Sequence, residues 1–324
     1  MAWTTQQVEG RHQLVLDLLA AHPLLSPTDL AAVLDLDAET SLRYLTHLER
    51  LGLVRMDAPL QAAIPTTECN WKRGAASTVG RGYVLTQPAV YLLATQGGVP
   101  MARSLKSSLH TTESMRNRTS YHPVTSYMHD VLACQRIAEH TRGVYTFFSM
   151  LHRTLRTVPC STPPKANRVV WWETGRACMR HYRVQHGWHA IRPDGAAEVI
   201  IAGRPLSFWL EWDRSTMGLR DLRAKFTAYA EYVRSREWRT DGNLPLPQLL
   251  IVTSEEAQET RICEAFSSCV SAPLSLHVYI AISRQIEEHG PLEAIWREWR
   301  ANGPYGDANP GPQGLGMLER VFTN

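Results

Sequence analysis

Residues Arg192 to Tyr232, RPDGAAEVIIAGRPLSFWLEWDRSTMGLRDLRAKFTAYAEY, hold the chain to one local order: strand, turn, strand, helix. From Leu206 the side chains alternate. Leu206, Phe208, Leu210 and Trp212 fall on one face of an extended segment, and Ser207, Trp209, Glu211 and Asp213 on the other. Ala202-Gly-Arg-Pro205 supplies the turn back to a preceding strand, Ala196 to Ile201. After the second strand, Leu219, Leu222, Phe226, Tyr229 and Val233 recur at helical spacing and form one apolar stripe. Lys225 lies at the edge of that stripe, where it is expected to lean over the sheet end.

This order places several charged groups together. Glu211 and Asp213 share a strand face, and Asp194 sits in Pro-Asp-Gly at the bend before the first strand. Two carboxylates side by side repel unless a cation or a proton lies between them. Hard oxygen ligands of this type suit Mg2+ or Mn2+. Taken singly, Pro-Asp-Gly is a turn, Glu-x-Asp a solvated strand face and Lys225 a surface lysine. Their joint order and spacing point instead to a metal site at Asp194, Glu211 and Asp213, with Lys225 stabilising charge on phosphate or orienting an attacking water.

The N-terminal hundred residues carry a second pattern. A helix is expected from Gln7 to Ala21, with Val8, Leu14, Val15, Leu18 and Leu19 inward, ended by His22-Pro23. Ser26 and Pro27 start a second helix as N-cap and first residue. A third spans Ala38 to Leu51, burying Leu42, Leu45, Leu48 and Leu51, and Gly52 stops it. That is helix-turn-helix spacing. Thr40, Arg43, Tyr44 and His47 face outward on the third helix and are the candidate DNA readers. Strands at Leu53–Arg55 and Gly82–Thr86 form a wing, and Lys72, Arg73 and Arg81 in the loop between them are suited to phosphate. A helix from Pro88 to Gln96 is of the kind used for a homodimer or interdomain contact. Against DNA stand the acids Asp29, Asp35, Asp37 and Glu39, which would suit a protein partner.

Charge is uneven along the chain. The net charge is only +3, yet residues 101–170 hold ten Lys/Arg against three Asp/Glu. A phosphate backbone is the natural partner of such a segment. Thr125 to Arg142 reads as a helix, and Tyr145 to Thr157 and Val169 to Trp172 as strands. A buried-type strand at Gln248–Thr253, a helix from Glu255 and a strand from Leu274 complete an alternating pattern. The six cysteines contain no Cys-x-x-Cys pair, as expected of a reduced cytoplasmic protein. His181, His186 and His189 surround Trp188, but no cysteine stands at zinc-ligand spacing beside them. No run is long or apolar enough to cross a membrane, and no signal peptide is expected.

The segments Arg192-Pro-Asp-Gly, Phe208-Trp-Leu-Glu-Trp-Asp-Arg-Ser-Thr and Leu222…Lys225…Tyr229, with Gly52-Leu-Val and Tyr83-Val-Leu-Thr, resemble the replication-relaxation family. Its members occur on plasmids, conjugative elements and other mobile DNA. The resemblance implies an α+β multidomain chain: a winged helix-turn-helix, then an α/β mixed-sheet domain like the PD-(D/E)xK nucleases. The domains expected are 1–100 (winged helix), 101–124 (basic connector), 125–301 (nuclease-like) and 302–324 (a Gly/Pro-rich tail). The metal-binding roles of the PD-(D/E)xK enzymes would then fall on Asp194 and Glu211. Glu173 matches the acid that an earlier helix often contributes. The usual lysine two positions after the second acid is Asp213 here, so Lys225 would replace it from the helix.

The reading is therefore a DNA-binding protein that cuts or nicks DNA with Mg2+ or Mn2+. Two rivals are a non-catalytic replication initiator or regulator on a degenerate nuclease fold, and a winged-helix interaction subunit working with other proteins of a mobile-element complex.

Overall fold

A computed structural model describes residues 10–57, 82–96, 123–158, 167–185, 187–240, 246–269 and 276–299. The chain divides into two compact units, 1–149 and 150–324. The basic segment 101–122, the loop carrying Lys72, Arg73 and Arg81, and the tail from 302 lie outside the described residues.

The first unit opens with α1 (Gly10–Ala21), α2 (Pro27–Leu34) and α3 (Ala38–Arg50). Ser26 starts α2 in a capping box. Its hydroxyl accepts from the Asp29 N–H, and the Asp29 carboxylate accepts from the Ser26 N–H. Asp37 caps α3 by accepting from the Thr40 N–H at 2.7 Å. Two of the four acids that argued for a protein partner thus complete helix ends. Strands β1 (Val54–Asp57) and β2 (Gly82–Leu85) pair antiparallel, and α4 (Gln87–Thr95) follows. Gly82 is required where it stands. A Cβ there would lie 2.2 Å from the Leu24 carbonyl oxygen, because Leu25 bridges to Tyr83 beside it.

Two inward assignments need correction. Leu14 is 50% and Leu42 41% exposed, and His12, Leu16 and Ser41 are buried instead. Val15, Leu19, Leu45 and Leu48 are buried as expected, so each stripe differs only at its edge, where one position at 100° per residue decides between core and solvent.

The helix expected to open the second domain lies in the first unit. It is α5 (Pro123–Arg136), and its buried Tyr127 hydroxyl accepts the Leu85 N–H at 2.9 Å and donates to the Leu19 carbonyl at 3.2 Å. Tyr127→Phe leaves two buried backbone groups without their partner. It is expected to destabilise this unit by about 1–3 kcal/mol, read as a lower urea midpoint for its unfolding. Tyr145 to Thr157 is not a strand but the greater part of a twenty-residue helix, α6 (Ala138–Thr157). Its aromatic run Tyr145-Thr-Phe-Phe148 favours strand by local propensity. Val144, Phe148, Leu151 and Leu155 nonetheless recur at helical spacing and are buried, and that periodicity wins.

The second unit is built on a six-stranded mixed sheet in the order β10-β9-β8-β7-β6-β3. Its strands are β3 (Arg168–Thr174), β6 (Gly195–Ile201), β7 (Arg204–Asp213), β8 (Gln248–Thr253), β9 (Val278–Ile282) and β10 (Arg297–Trp299). A separate hairpin, β4 (Arg180–Val184) and β5 (Gly187–Ile191), lies between β3 and β6 in sequence. β7, β8 and β9 run parallel, and the other pairs are antiparallel. Helix α7 (Leu219–Ser235) crosses from β7 to β8, α8 (Glu256–Cys269) from β8 to β9, and α9 (Ser283–His289) follows. Every residue of β8 is buried, as a central parallel strand requires. The chain is a mixed α+β protein, with N-terminal helices and a six-stranded sheet flanked by helices.

The turn between β6 and β7 is shorter than the sequence indicated. Ala202 and Gly203 alone form it, at φ 50° and 80°, and Arg204 and Pro205 already belong to β7. Positive φ at both central residues is the two-residue hairpin geometry that matches strand twist. Beneath the sheet's α7/α8 face, Phe226 stacks on Phe266 at 3.8 Å between ring centres, and Trp209 packs edge-on to Tyr232 at 5.5 Å.

Candidate active site

β7 sets the site. Its pairing with β6 places Leu210 opposite Gly195, so one step further Glu211 stands opposite Asp194 at the point where β6 begins. The Asp194 N–H donates to the Leu210 carbonyl at 2.9 Å, and its Oδ2 accepts from the Trp212 N–H at 2.8 Å. Pro193 precedes it and bends the chain there, so the aspartate lies at the strand mouth rather than within the ladder.

Glu211 is 2% exposed. From α7, Lys225 donates to its Oε2 and Tyr229 to its Oε1. Positions 225 and 229 are one helical turn apart, so both groups point at the same carboxylate. Burial pushes the Glu211 carboxyl up to about 8; Lys225 opposes that rise and the nearby charge of Asp194 adds to it. The same two carboxylates hold Lys225 above its ordinary value against the cost of burial, and burial with Glu211 raises Tyr229. The result is a closed acid–base cluster in which one buried carboxylate accepts from both an ammonium and a phenol.

Asp213 shares the strand face but not the cluster's hydrogen bonds. Its Oδ1 accepts from the Ser215 N–H at 3.1 Å, and its Oδ2 accepts from the buried Gln258 amide of α8 at 2.7 Å. Glu173 lies on β3 rather than on a helix. Its register with Ala196, and that of Ala196 with Trp209, put it on the Glu211 side of the sheet. There it pairs with Arg180 at 2.9 Å. Cys178, fully buried between these groups, has its thiol pushed well up by burial. Among the described residues, no group of three or more His, Cys, Asp or Glu is arranged to hold a metal ion. The donor set on offer is the carboxylate pair Asp194 and Glu211, a set that suits Mg2+, which commonly takes one or two carboxylates and keeps several waters.

Tyr229 and Gln258 were not singled out from the sequence as site residues. Tyr229 reads as one more apolar stripe position, and only its hydroxyl at four residues from Lys225 hints otherwise. Gln258 sits 45 residues beyond Asp213 on another helix, with no local signal connecting them.

In the first unit, Arg43 is exposed and donates to Thr40 Oγ1 at 2.8 Å, and Thr40 Oγ1 donates in turn to Asp37 at 2.7 Å. Tyr44 and His47 pack on His12 of α1, with ring centres 4.9 and 4.8 Å away. Thr40 and Tyr44 are half-buried and His47 exposed. The described helices include none long and apolar enough to cross a membrane.

A family model described as replication-relaxation matches residues 16–246, more than two thirds of the chain. The chain belongs to the replication-relaxation family. Searches among curated proteins and among solved structures found no match. Membership in the replication-relaxation family associates the chain with plasmid replication. The matched span contains Glu173, Asp194, Glu211, Asp213, Lys225 and Tyr229, whereas β8 and the Gln258 helix lie beyond it.

Proposed function

We propose that this replication-relaxation protein binds DNA of a plasmid or other mobile element and cuts or nicks it in a metal-dependent reaction. Residues 1–100 act as a winged helix and the second unit as a PD-(D/E)xK-like nuclease. The observation that carries the reading is the buried Glu211, clasped by Lys225 and placed one strand position across from Asp194. A structural glutamate gains little from such a setting, since burying a carboxylate beside another is costly. A carboxylate that must exchange a proton for a cation requires it.

In this reading Asp194 and Glu211 hold Mg2+ or Mn2+, which supplies a Lewis acid and an activated water. Lys225, released from Glu211, neutralises charge on the phosphate, and Tyr229 keeps the carboxylate oriented. Asp213 fixes the start of the loop after β7 through Ser215 and Gln258 and is an auxiliary ligand at most. Glu173 orients Arg180. Supercoiled plasmid carrying the native locus is the test substrate. Nicking by the wild-type chain in Mg2+ or Mn2+, and none by Glu211→Gln, is the expected pair of results. Supercoiled DNA left intact by the wild-type chain under both metals would sink the nuclease reading.

The non-catalytic scaffold is favoured by one observation. Where the PD-(D/E)xK pattern has a lysine, Asp213 stands, and its carboxylate is engaged with Gln258. Binding of that plasmid without any nicking is what the scaffold reading requires.

For the first unit, Arg43→Ala is expected to weaken binding to a cognate duplex more than to a scrambled one. The Asp37–Thr40–Arg43 chain holds the guanidinium at the exposed face of α3, and a bidentate base contact is worth about 1–3 kcal/mol of discrimination. Affinities for both duplexes at matched salt decide it. An equal loss on the two makes Arg43 a phosphate contact, and no loss points to a protein-binding helix.

A further inference from the structure

Apart from Arg180, the hairpin β4–β5 has no part in the chemistry above, yet its two faces differ sharply. The inner face is fixed to α7. Tyr182 is 1% exposed, its hydroxyl donates to Glu231 at 3.0 Å, and its ring meets Tyr232 at 5.8 Å. Ile191 is buried beside it. The outer face carries the cross-strand pair Arg183 and Trp188, with His181 next along. All three are exposed, and Trp188 is 57% exposed. Every other described tryptophan is buried or half-buried.

Charge gives this face its partner. Residues 176–192 contain four arginines and three histidines and not one Asp or Glu. Arg180 is paired with Glu173, but Arg183 and Arg192 are exposed, and Arg192 lies two residues before Asp194. An exposed indole on a hairpin anchored to α7, in a segment rich in arginine and histidine and without an Asp or Glu, matches an unpaired base between two phosphates. A duplex hides its base faces in the stack, and an acidic peptide would leave the indole face without a partner.

We infer that the β4–β5 hairpin is a binding surface for single-stranded DNA, with Trp188 stacking on a base and Arg183 on the adjoining phosphate. The inference rests on the reading of the second unit as acting on DNA. It adds that the substrate at the site is a strand with at least one unstacked base, delivered along the hairpin to α7.

Anisotropy of a labelled twenty-nucleotide oligo-dT, with the full chain in EDTA, tests binding apart from cleavage. A blunt duplex of equal length is the comparator. Trp188→Ala is expected to weaken oligo-dT binding about 5- to 150-fold, the range for loss of one base–aromatic stack, and to change duplex binding little. Trp188→Phe restores most of the affinity. Arg183→Ala lowers the salt slope on oligo-dT by about 0.7, the value for one phosphate contact on a single strand. The inference is overturned by a wild-type chain that does not bind oligo-dT, which leaves the Trp188 face to a protein partner. It is equally overturned by Trp188→Ala binding like wild type, or by equal losses on both DNAs. Plasmid nicking by the same variants keeps the two readings separate. Wild-type nicking with unaltered oligo-dT binding in Trp188→Ala defeats the hairpin surface alone. Lost oligo-dT binding in Trp188→Ala, from a chain that never nicks, defeats the nuclease alone.

Discussion

Lys225→Met is expected to slow nicking of supercoiled plasmid by about 10²–10³-fold, the usual cost of deleting one positioned group that stabilises transition-state charge. DNA affinity in EDTA should hardly change, because the ammonium is engaged by Glu211 in the metal-free chain. Methionine keeps the aliphatic stem, so packing against α7's neighbours survives. Removing the cation also takes away what opposes the rise of the Glu211 carboxyl. The mutant's residual activity should therefore move to higher pH. A nicking rate equal to wild type would show that the lysine serves only the fold.

The second large effect is a pH dependence. Glu211 has its folded value raised to about 8 from an ordinary 4.5, because it is buried. The folded state then holds a proton that the unfolded state has released between these values. The stabilisation from this group is complete below pH 4.5 and is lost as pH rises towards 8, at about 1.4 kcal/mol per unit. Lys225, also raised, adds a loss only at still higher pH. Glu211→Gln carries no such proton, and its unfolding midpoint in urea should stay flat from pH 6.5 to 8, where the wild type declines; below pH 6.5 the buried His152, lowered to about 4, adds the opposite slope to both chains. In the proposed reading a metal ion competes for the same carboxylate. Mn2+ affinity of the wild-type chain should rise roughly tenfold per pH unit below 8, with about one proton released per ion. Calorimetry in buffers of different ionisation enthalpy measures that proton directly. Metal uptake without proton release would place the ion away from Glu211.

The parts that could be read ahead of the structure were those whose physics is local. The Ser26 cap, the Gly52 stop of α3, the two-period of β7 and the stripe of α7 all write themselves within a few residues. The lysine's approach to Glu211 followed from two such periods meeting. What could not be read depended on distant partners. Asp213 looks like a metal ligand until Gln258 arrives from α8, and Glu173 looks available until Arg180 folds back on it. α6 was misread because aromatic residues favour strand locally while their spacing is helical. The hairpin β4–β5 escaped because its single buried face is only three or four residues long, too short to establish a period.

The order of strands has a temporal meaning. Asp194, Glu211, Lys225 and Tyr229 all lie before residue 230, but β7 gains its parallel neighbour only through β8, residues 248 to 253. On the ribosome, the chain therefore displays every reactive side chain before the strand that seats them is made. Until Thr253 has emerged and paired with Asp213, one side of β7 is an open edge and Glu211 has water where it will later have the protein interior. The cluster around Glu211 is thus completed late in synthesis, and a chain that stops short of β8 carries its residues without the strand that helps to bury them.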